Sequence, residues 1–129
     1  MEFFKRKFSP LHYPEEDMNF KQIVEREGVL YEEHDVVTDD GYILTMQRIR
    51  AKGLPKGAPV VLLQHGLLSQ SDTWIDNDPS VAVAFRLVRE GYDVFLGNNR
   101  GNSYSLRHQT LNYQTQPAKF FDYSFQTLG

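Results

Sequence analysis

A short, unbroken apolar run that ends in a His-Gly pair constrains this chain more than any other feature. Residues 60–63 are Val-Val-Leu-Leu, and Gln64, His65 and Gly66 follow directly. An apolar run without alternation is typical of a strand that is buried on both faces, as in parallel sheets covered by helices. The sequence therefore predicts a buried parallel strand that ends in a tight turn.

A second β-rich run, residues 92–96, follows after the length of one helix. Asp78 is a good N-cap, and Pro79 suits the first position of a helix because its missing N–H would be unpaired there anyway. Gly91 is predicted to end this helix. The predicted core face of this helix consists of Val81, Ala84, Phe85 and Val88. Strand, crossover helix and strand predict a parallel, right-handed unit.

Two further elements precede this unit. Residues 31–38 and 42–49 flank Asp39-Asp40-Gly41, and an Asp-Gly pair between β-rich runs strongly indicates a hairpin. Before the hairpin, Asn19 and Gln22 form a capping-box pattern for a short helix. The predicted fold class is α/β, an antiparallel hairpin plus a strand-helix-strand unit in an incomplete sheet.

The length of 129 residues predicts one domain or part of one. Residues 1–16 contain Pro10, Pro14 and mixed charge, and we expect an irregular N-terminal arm. Residues 17–129 are expected to form the folded unit.

Several function classes find no support in the sequence. The net charge is −3 without a basic patch, which argues against nucleic acid. No cysteine is present, and His12, His34 and His108 are too dispersed for a metal site. No glycine-rich nucleotide motif occurs, so no cofactor is expected. We find neither a signal-peptide pattern nor a stretch of about 18 apolar residues, so no stable membrane insertion is expected and the compartment is not indicated.

The His-Gly turn has two interpretations. Gly66 lets the backbone approach a bound group, and the N–H of Leu67 would then point above the strand ends, as half of an oxyanion hole. Alternatively, His65 is a hydrogen-bonded buried side chain in an ordinary exit turn.

Ser103 is the serine whose sequence context is most similar to that of a catalytic nucleophile. Residues 101–105, Gly-Asn-Ser-Tyr-Ser, match four places of G-x-S-x-G, but the fifth residue is Ser105. The stretch does not join a strand directly to a helix, as a nucleophile turn must. We expect Ser103 to be a loop residue, and the chain shows no other candidate nucleophile.

Arg100 lies between glycines after the second strand of the parallel unit. A buried arginine there needs a carboxylate or several carbonyl partners. The sequence favours a structural anchor over a substrate contact.

The chain also resembles the N-terminal region of the acid lipases, the α/β-hydrolase family that contains gastric and lysosomal lipases. The resemblance is carried by EHDVVTDDGYIL at 33–44, LQHGLL at 63–68, GYDVFLGN at 91–98, RGN at 100–102 and FDYSF at 121–125. It implies that Leu67 donates its backbone N–H to the oxyanion, that His65 and Gly66 shape the turn, and that Asn98, Arg100, Gly101 and Asn102 form a supporting loop. The nucleophile, the acid and the histidine of that family have no counterpart in these 129 residues.

The first hypothesis is therefore the N-terminal fragment of a lipid ester hydrolase, inactive alone, whose lipid ester substrate binds only to a full-length form. In that family a further strand covers the outer edge of the strand between Val60 and Gln64, so here that edge is expected to be open. The second hypothesis is a non-catalytic module that pairs with a complementing chain at this edge. A third is a small esterase that uses Ser103.

Overall fold

The structure is a computed structural model that describes residues 18–128. The predicted arm, residues 1–16, lies outside the described residues. Residues 18–128 contain three short helices: α1 (Phe20–Arg26), α2 (Val83–Arg89) and α3 (Pro117–Phe120). The five strands in this range are β1 (Leu30–Val37), β2 (Tyr42–Arg50), β3 (Val60–Leu63), β4 (Asp93–Leu96) and β5 (Arg107–His108). Single 3₁₀ turns span Ser71–Trp74 and Phe125–Leu128.

The strands form one mixed sheet in the order β1-β2-β4-β3, and β5 pairs with the end of β2. β1, β4 and β5 are antiparallel to β2, whereas β3 and β4 are parallel. The predicted α/β class, with its hairpin and its parallel strand-helix-strand unit, is confirmed.

The hairpin turns at the predicted residues. Val37 pairs with Ile43, and the N–H of Gly41 donates to the carbonyl of Thr38 at 2.9 Å. Gly41 has a φ of +92°, a conformation in which a side chain would be strained. The Asp-Gly pair therefore sets the register of the two longest strands.

Helix α1 begins with the predicted capping box. The Asn19 side chain accepts from the N–H of Gln22, and the Gln22 side chain accepts from the N–H of Asn19, both at 2.9 Å. Phe20 and Val24 are buried against the sheet. The helix thus covers the core face of the sheet near β1 and β2.

The prediction for the start of α2 is wrong. Asp78 does not cap this helix, which begins at Val83. The Asp78 side chain instead accepts hydrogen bonds from the N–H and the hydroxyl of Ser80, a local turn that competes with helix formation. These bonds hold the pKa of Asp78 below its usual value. Val81 therefore lies outside the helix and is exposed, whereas Ala84, Phe85 and Val88 are buried as predicted.

Strand β3 is not buried on both faces within the described residues. Val60 is 63% exposed and Leu62 is 57% exposed, since no described helix covers the face on which they lie. β3 pairs only with β4, and its outer edge has no strand partner in residues 18–128. The unbroken apolar run therefore lies at the sheet edge, with an alternation of exposed and half-buried residues.

Candidate active site

The turn that follows β3 is a β-turn from Gly66 to Ser69. The N–H of Ser69 donates to the carbonyl of Gly66 at 3.2 Å. Leu68, the third residue of this turn, has a φ of +59° and is 98% exposed. A positive φ at this position characterises a type II turn, which normally carries Gly or Asn there. A leucine in this conformation is strained, and backbone strain of this kind is concentrated at functional sites.

His65 is buried and hydrogen-bonded through both ring nitrogens. Its Nδ1 lies 2.7 Å from the carbonyl oxygen of Gly66, and its Nε2 accepts from the backbone N–H of Asn99 at 3.0 Å. The side-chain nitrogen of Asn102 lies 3.3 Å from the same Nε2. The ring therefore joins the turn after β3 to the loop after β4, and His65 is a buried, hydrogen-bonded side chain.

The Leu67 N–H has no hydrogen-bond acceptor among residues 18–128. The peptide bond between Gly66 and Leu67 is trans, so this N–H points away from the Gly66 carbonyl, to which His65 and Ser69 donate. Leu67 also lines a cavity of about 470 Å³ between the turn, residues 99–103 and the 3₁₀ turn near Leu128. A free backbone donor at the wall of a cavity can bind a negatively charged oxygen.

Asn98 anchors the start of the loop after β4. It is 3% exposed, and its side-chain oxygen accepts from the N–H of Ser71 and from Asn102, both at 3.0 Å. Its side-chain nitrogen donates to the carbonyl of Thr45 at 3.1 Å and to the side-chain oxygen of Gln47 at 3.2 Å. All four hydrogen-bonding positions of this buried amide are used.

Comparison with known proteins identifies relatives of this chain. A family model described as the partial alpha/beta-hydrolase lipase region matches residues 20–78, which include the turn after β3. Human lipase member M is 40% identical over 131 residues, covering 93% of this chain and 31% of the relative. Human gastric triacylglycerol lipase is 42% identical over 128 residues, covering 95% of this chain and 32% of the relative.

The chain belongs to the acid-lipase family.

A third relative, lipase 1 of Drosophila melanogaster, is 43% identical over 112 residues, covering 87% of this chain and 24% of the relative. The chain thus spans about a third or less of the length of these acid lipases. Among solved structures, brefeldin A esterase, a bacterial homologue of human hormone sensitive lipase, aligns with a TM-score of 0.45 at 16% identity, covering 83% of this chain and 27% of that chain. The family assignment rests on the family model and the sequence relatives.

In this acid-lipase region the loop residues singled out from the sequence lie together. Arg100 forms an ion pair with Asp40 at the hairpin turn, and its guanidinium carbon lies 4.3 Å from the centre of the Tyr42 ring. The hydrogen bond from Arg100 holds the pKa of Asp40 below its usual value. The Arg100 carbonyl accepts from the hydroxyl of Tyr123 at 3.1 Å. Arg100 therefore ties the loop to the hairpin and to the C-terminal segment.

Gly101 is required by its surroundings. Its φ is +85°, and a Cβ at this position would lie 1.8 Å from the hydroxyl oxygen of Tyr123. Its N–H donates to the carbonyl of Ser105 at 2.9 Å, which closes the loop. The glycine thus lets the Tyr123 side chain rest on the backbone of the loop.

Ser103 lies on an exposed turn of the same loop. Its hydroxyl donates to the side-chain oxygen of Gln70 and not to a histidine. Its neighbour Tyr104 donates to Asp72 at 2.6 Å, and burial together with this carboxylate raises the pKa of the Tyr104 hydroxyl. Ser103 and Tyr104 thus join the two loops.

The polar residues beneath the loops are the part of the site that sequence reasoning missed. Ser105 accepts from the N–H of Thr45 at 3.1 Å and donates to the carbonyl of Asn98 at 3.0 Å. Ser71 donates to the buried side chain of Gln47. A signal was available, because Thr45 and Gln47 alternate with buried Ile49 and therefore share the core face of β2. Polar residues at such positions require partners.

Residues 18–128 contain neither a membrane-spanning helix nor a metal-binding cluster. No helix in this range has the length and apolar character to cross a membrane. No three His, Asp or Glu side chains in it are gathered so that they could hold a metal ion.

Proposed function

We propose that this region supplies the oxyanion-binding turn of a carboxylic ester hydrolase that acts on lipid esters such as triacylglycerols and steryl esters. The observation that carries the proposal is that the Leu67 N–H lacks an acceptor among the described residues and that Leu67 is one of the residues that line the cavity. During acyl transfer the carbonyl oxygen of the ester becomes an oxyanion, and a preoriented N–H stabilises it. Membership of the acid-lipase family supports the choice of esters.

We expect the 129-residue chain by itself to be inactive. No serine hydroxyl within residues 18–128 donates to a histidine, and the sequence has no cysteine. Acyl transfer of this kind needs an activated nucleophile beside its base. The purified chain should therefore show no saturable hydrolysis of p-nitrophenyl butyrate. Saturable hydrolysis that disappears in Ser103→Ala would instead establish the small-esterase hypothesis.

The oxyanion role can be tested in a chimera in which this chain replaces the matching segment of human gastric triacylglycerol lipase. Leu67 is the second residue of the turn, where proline is favoured, so Leu67→Pro removes the N–H and keeps the turn. Loss of one oxyanion donor lowers kcat by about 10²- to 10³-fold in a measured case. We expect a loss of that order in tributyrin hydrolysis by Leu67→Pro.

Leu67→Ala is the matched control, because it shortens the side chain and retains the N–H. It should keep most of the activity of the chimera. Equal activity in Leu67→Pro and Leu67→Ala would refute the role of this donor.

A second candidate function is a non-catalytic module that pairs through the edge of β3. The carbonyl of Pro59 accepts from the N–H of Asp93, and the carbonyl of Leu63 accepts from the N–H of Gly97. Successive residues of a strand direct their backbone groups to opposite sides, so those of Val60 and Leu62 face the open edge. Free edges of this kind can bind an extended strand of a second chain, which is the complementing chain expected from the sequence.

Size-exclusion chromatography with light scattering tests this candidate. A defined dimer that becomes a monomer in Leu62→Pro would support pairing, because proline removes an N–H that faces the edge and not one that bonds to β4. If the wild-type chain is a monomer and does not bind the remaining part of an acid lipase, the result would count against the module.

A further inference from the structure

The orientations of the amide groups around His65 follow from backbone groups whose donor or acceptor roles are fixed. The carbonyl of Thr45 can only accept and the N–H of Ser71 can only donate, so the Asn98 side chain must point its nitrogen to Thr45 and its oxygen to Ser71. The same oxygen of Asn98 also faces Asn102 at 3.0 Å. Asn102 must therefore present its NH₂ group to Asn98.

A second backbone N–H gives the same orientation for Asn102. The side-chain oxygen of Asn102 accepts from the N–H of Tyr104 at 3.1 Å. The NH₂ group of Asn102 has two hydrogens, and the one not used by Asn98 faces Nε2 of His65 at 3.3 Å. The backbone N–H of Asn99 faces the same nitrogen at 3.0 Å. Both groups that face Nε2 are thus donors.

This arrangement selects one tautomer of the imidazole. A neutral ring carries one proton, and Nε2 must be the acceptor because donors face it, so the proton lies on Nδ1. From Nδ1 it is donated to the carbonyl of Gly66 at 2.7 Å. The Gly66 carbonyl and the Leu67 N–H belong to one planar trans peptide unit and point in opposite directions. Holding the carbonyl on His65 therefore directs the N–H of Leu67 outward.

We propose that Asn102 is a positioning residue: together with the backbone N–H of Asn99 it keeps His65 in the Nδ1-protonated tautomer, which orients the Leu67 N–H. The inference rests on the proposed oxyanion role of Leu67 for its consequence in catalysis. The tautomer itself is independent of that role. Asn102 acts through His65 and the peptide unit and needs no contact with substrate.

Nitrogen NMR of the ¹⁵N-histidine-labelled 129-residue chain tests the tautomer directly. His65 is assigned by the signal that is lost in His65→Gln. In the wild-type chain at neutral pH, the Nδ1 of His65 should have the chemical shift of a protonated nitrogen and Nε2 that of an unprotonated one. The opposite pattern would overturn the proposal without any variant.

Asn102→Asp is the decisive variant, because it replaces the NH₂ group that faces Nε2 by a carboxylate oxygen of nearly the same size. A carboxylate accepts hydrogen bonds, so the fraction of His65 that carries a proton on Nε2 should rise and shift the Nε2 resonance, in competition with the Asn99 N–H that still faces this nitrogen. Asn112→Asp is the matched control: the Asn112 side-chain oxygen accepts from Gln114 and Thr115, and a carboxylate can keep both bonds. The control should leave both His65 nitrogen shifts unchanged. Unchanged His65 shifts in Asn102→Asp would also contradict the proposal.

The catalytic consequence is measured in the chimera. A misplaced donor should lower kcat by about 10- to 100-fold and change KM by less than about twofold, because the interaction forms only in the transition state. Asn102→Ala, which removes the donor without adding charge, gives a second measurement of kcat if Asn102→Asp does not fold. A kcat equal to that of the unmodified chimera in a folded variant would refute the positioning role.

The two proposals can fail separately. If Leu67→Pro leaves the activity of the chimera intact, the oxyanion role fails, whatever the tautomer of His65. If Leu67→Pro removes the activity and Asn102→Asp changes neither the tautomer nor kcat, only the positioning role of Asn102 fails.

Discussion

The hydroxyl oxygen of Tyr123 lies 1.8 Å from the point that a Cβ on Gly101 would occupy. The same hydroxyl donates to the carbonyl of Arg100 at 3.1 Å. The C-terminal segment is therefore packed on the bare backbone of the loop after β4.

Gly101→Ala should destabilise the chain by at least about 2 kcal/mol, because the residue would combine a positive φ with a steric overlap. Gly53→Ala is the control, since Gly53 has a φ of +74° but no heavy atom within 4 Å of the point that its Cβ would occupy. It should cost only the backbone strain. Urea unfolding measures both variants.

A double variant isolates the contact. Tyr123→Phe removes the oxygen that the new Cβ would meet, so Gly101→Ala should cost less in that background than in the wild type. Equal costs in the two backgrounds would mean that Tyr123 does not set the requirement for glycine.

A pH dependence is expected from Asp93. Two hydrogen bonds from Arg48, at 2.9 and 2.6 Å, hold the pKa of this carboxyl below its ordinary value of 3.8. A lowered folded-state pKa contributes stability above the unfolded-state pKa, and this stability is lost as the pH falls through the folded-state pKa. Asp93→Asn should lower the unfolding free energy by about 2 kcal/mol at neutral pH.

Unfolding measured from about pH 6 down to about pH 2 should therefore show a smaller acid-side decline in Asp93→Asn than in the wild type. The exposed pair of Asp35 and Arg107 provides the comparison. Asp35→Asn should cost less than about 1 kcal/mol. An acid-side decline of unchanged size in Asp93→Asn would contradict the assignment to this carboxyl.

Leu68→Asn should stabilise the turn after β3. Leu68 is almost fully exposed, so little burial is lost, and asparagine tolerates a positive φ better than leucine. We expect the unfolding free energy to rise by about 0.5 to 1 kcal/mol. Leu67→Asn, one residue earlier, lacks a positive φ to relieve and should bring no gain in the same urea titration.

Ser105 and Ser103 offer a matched pair within one loop. Ser105→Ala leaves the N–H of Thr45 without its buried acceptor and should cost about 1 to 3 kcal/mol. Ser103 is exposed, and Ser103→Ala should stay within about 0.5 kcal/mol of the wild type. Thermal unfolding of the two variants gives the comparison, and a larger loss in Ser103→Ala would reverse the roles given to these hydroxyls.

Much of the architecture could be predicted because its signals are local. The Asp-Gly pair before Tyr42 needs only its own backbone conformation to turn the hairpin, and the Asn19 and Gln22 capping box needs only three residues of helix. The start of α2 was mispredicted although its signals are also local. The Asp78 side chain could either cap a helix or bond to Ser80, and in the structure it bonds to Ser80.

The candidate site was predictable only in outline. His65, Gly66 and Leu67 follow from a strand that ends in a turn, Arg100 follows from its place between glycines, and Asn98, Gly101 and Asn102 follow from the resemblance. The polar residues that hold them, such as Gln47 and Ser105, lie on other elements, and their partners are set by how the strands are arranged in the sheet. A hydrogen bond between residues 60 positions apart, as from Thr45 to Ser105, leaves no periodic trace in the sequence.

Hydrophobic patterning, glycine conformation and capping act over a few residues, so the positions of strands and turns and the family resemblance can be inferred from the sequence. The hydrogen bonds at both ring nitrogens of His65 and the position of the apolar run of β3 at an exposed edge are evident only in the folded protein. Both depend on which elements become neighbours, since a donor finds its acceptor and a strand its partner only across the assembled sheet.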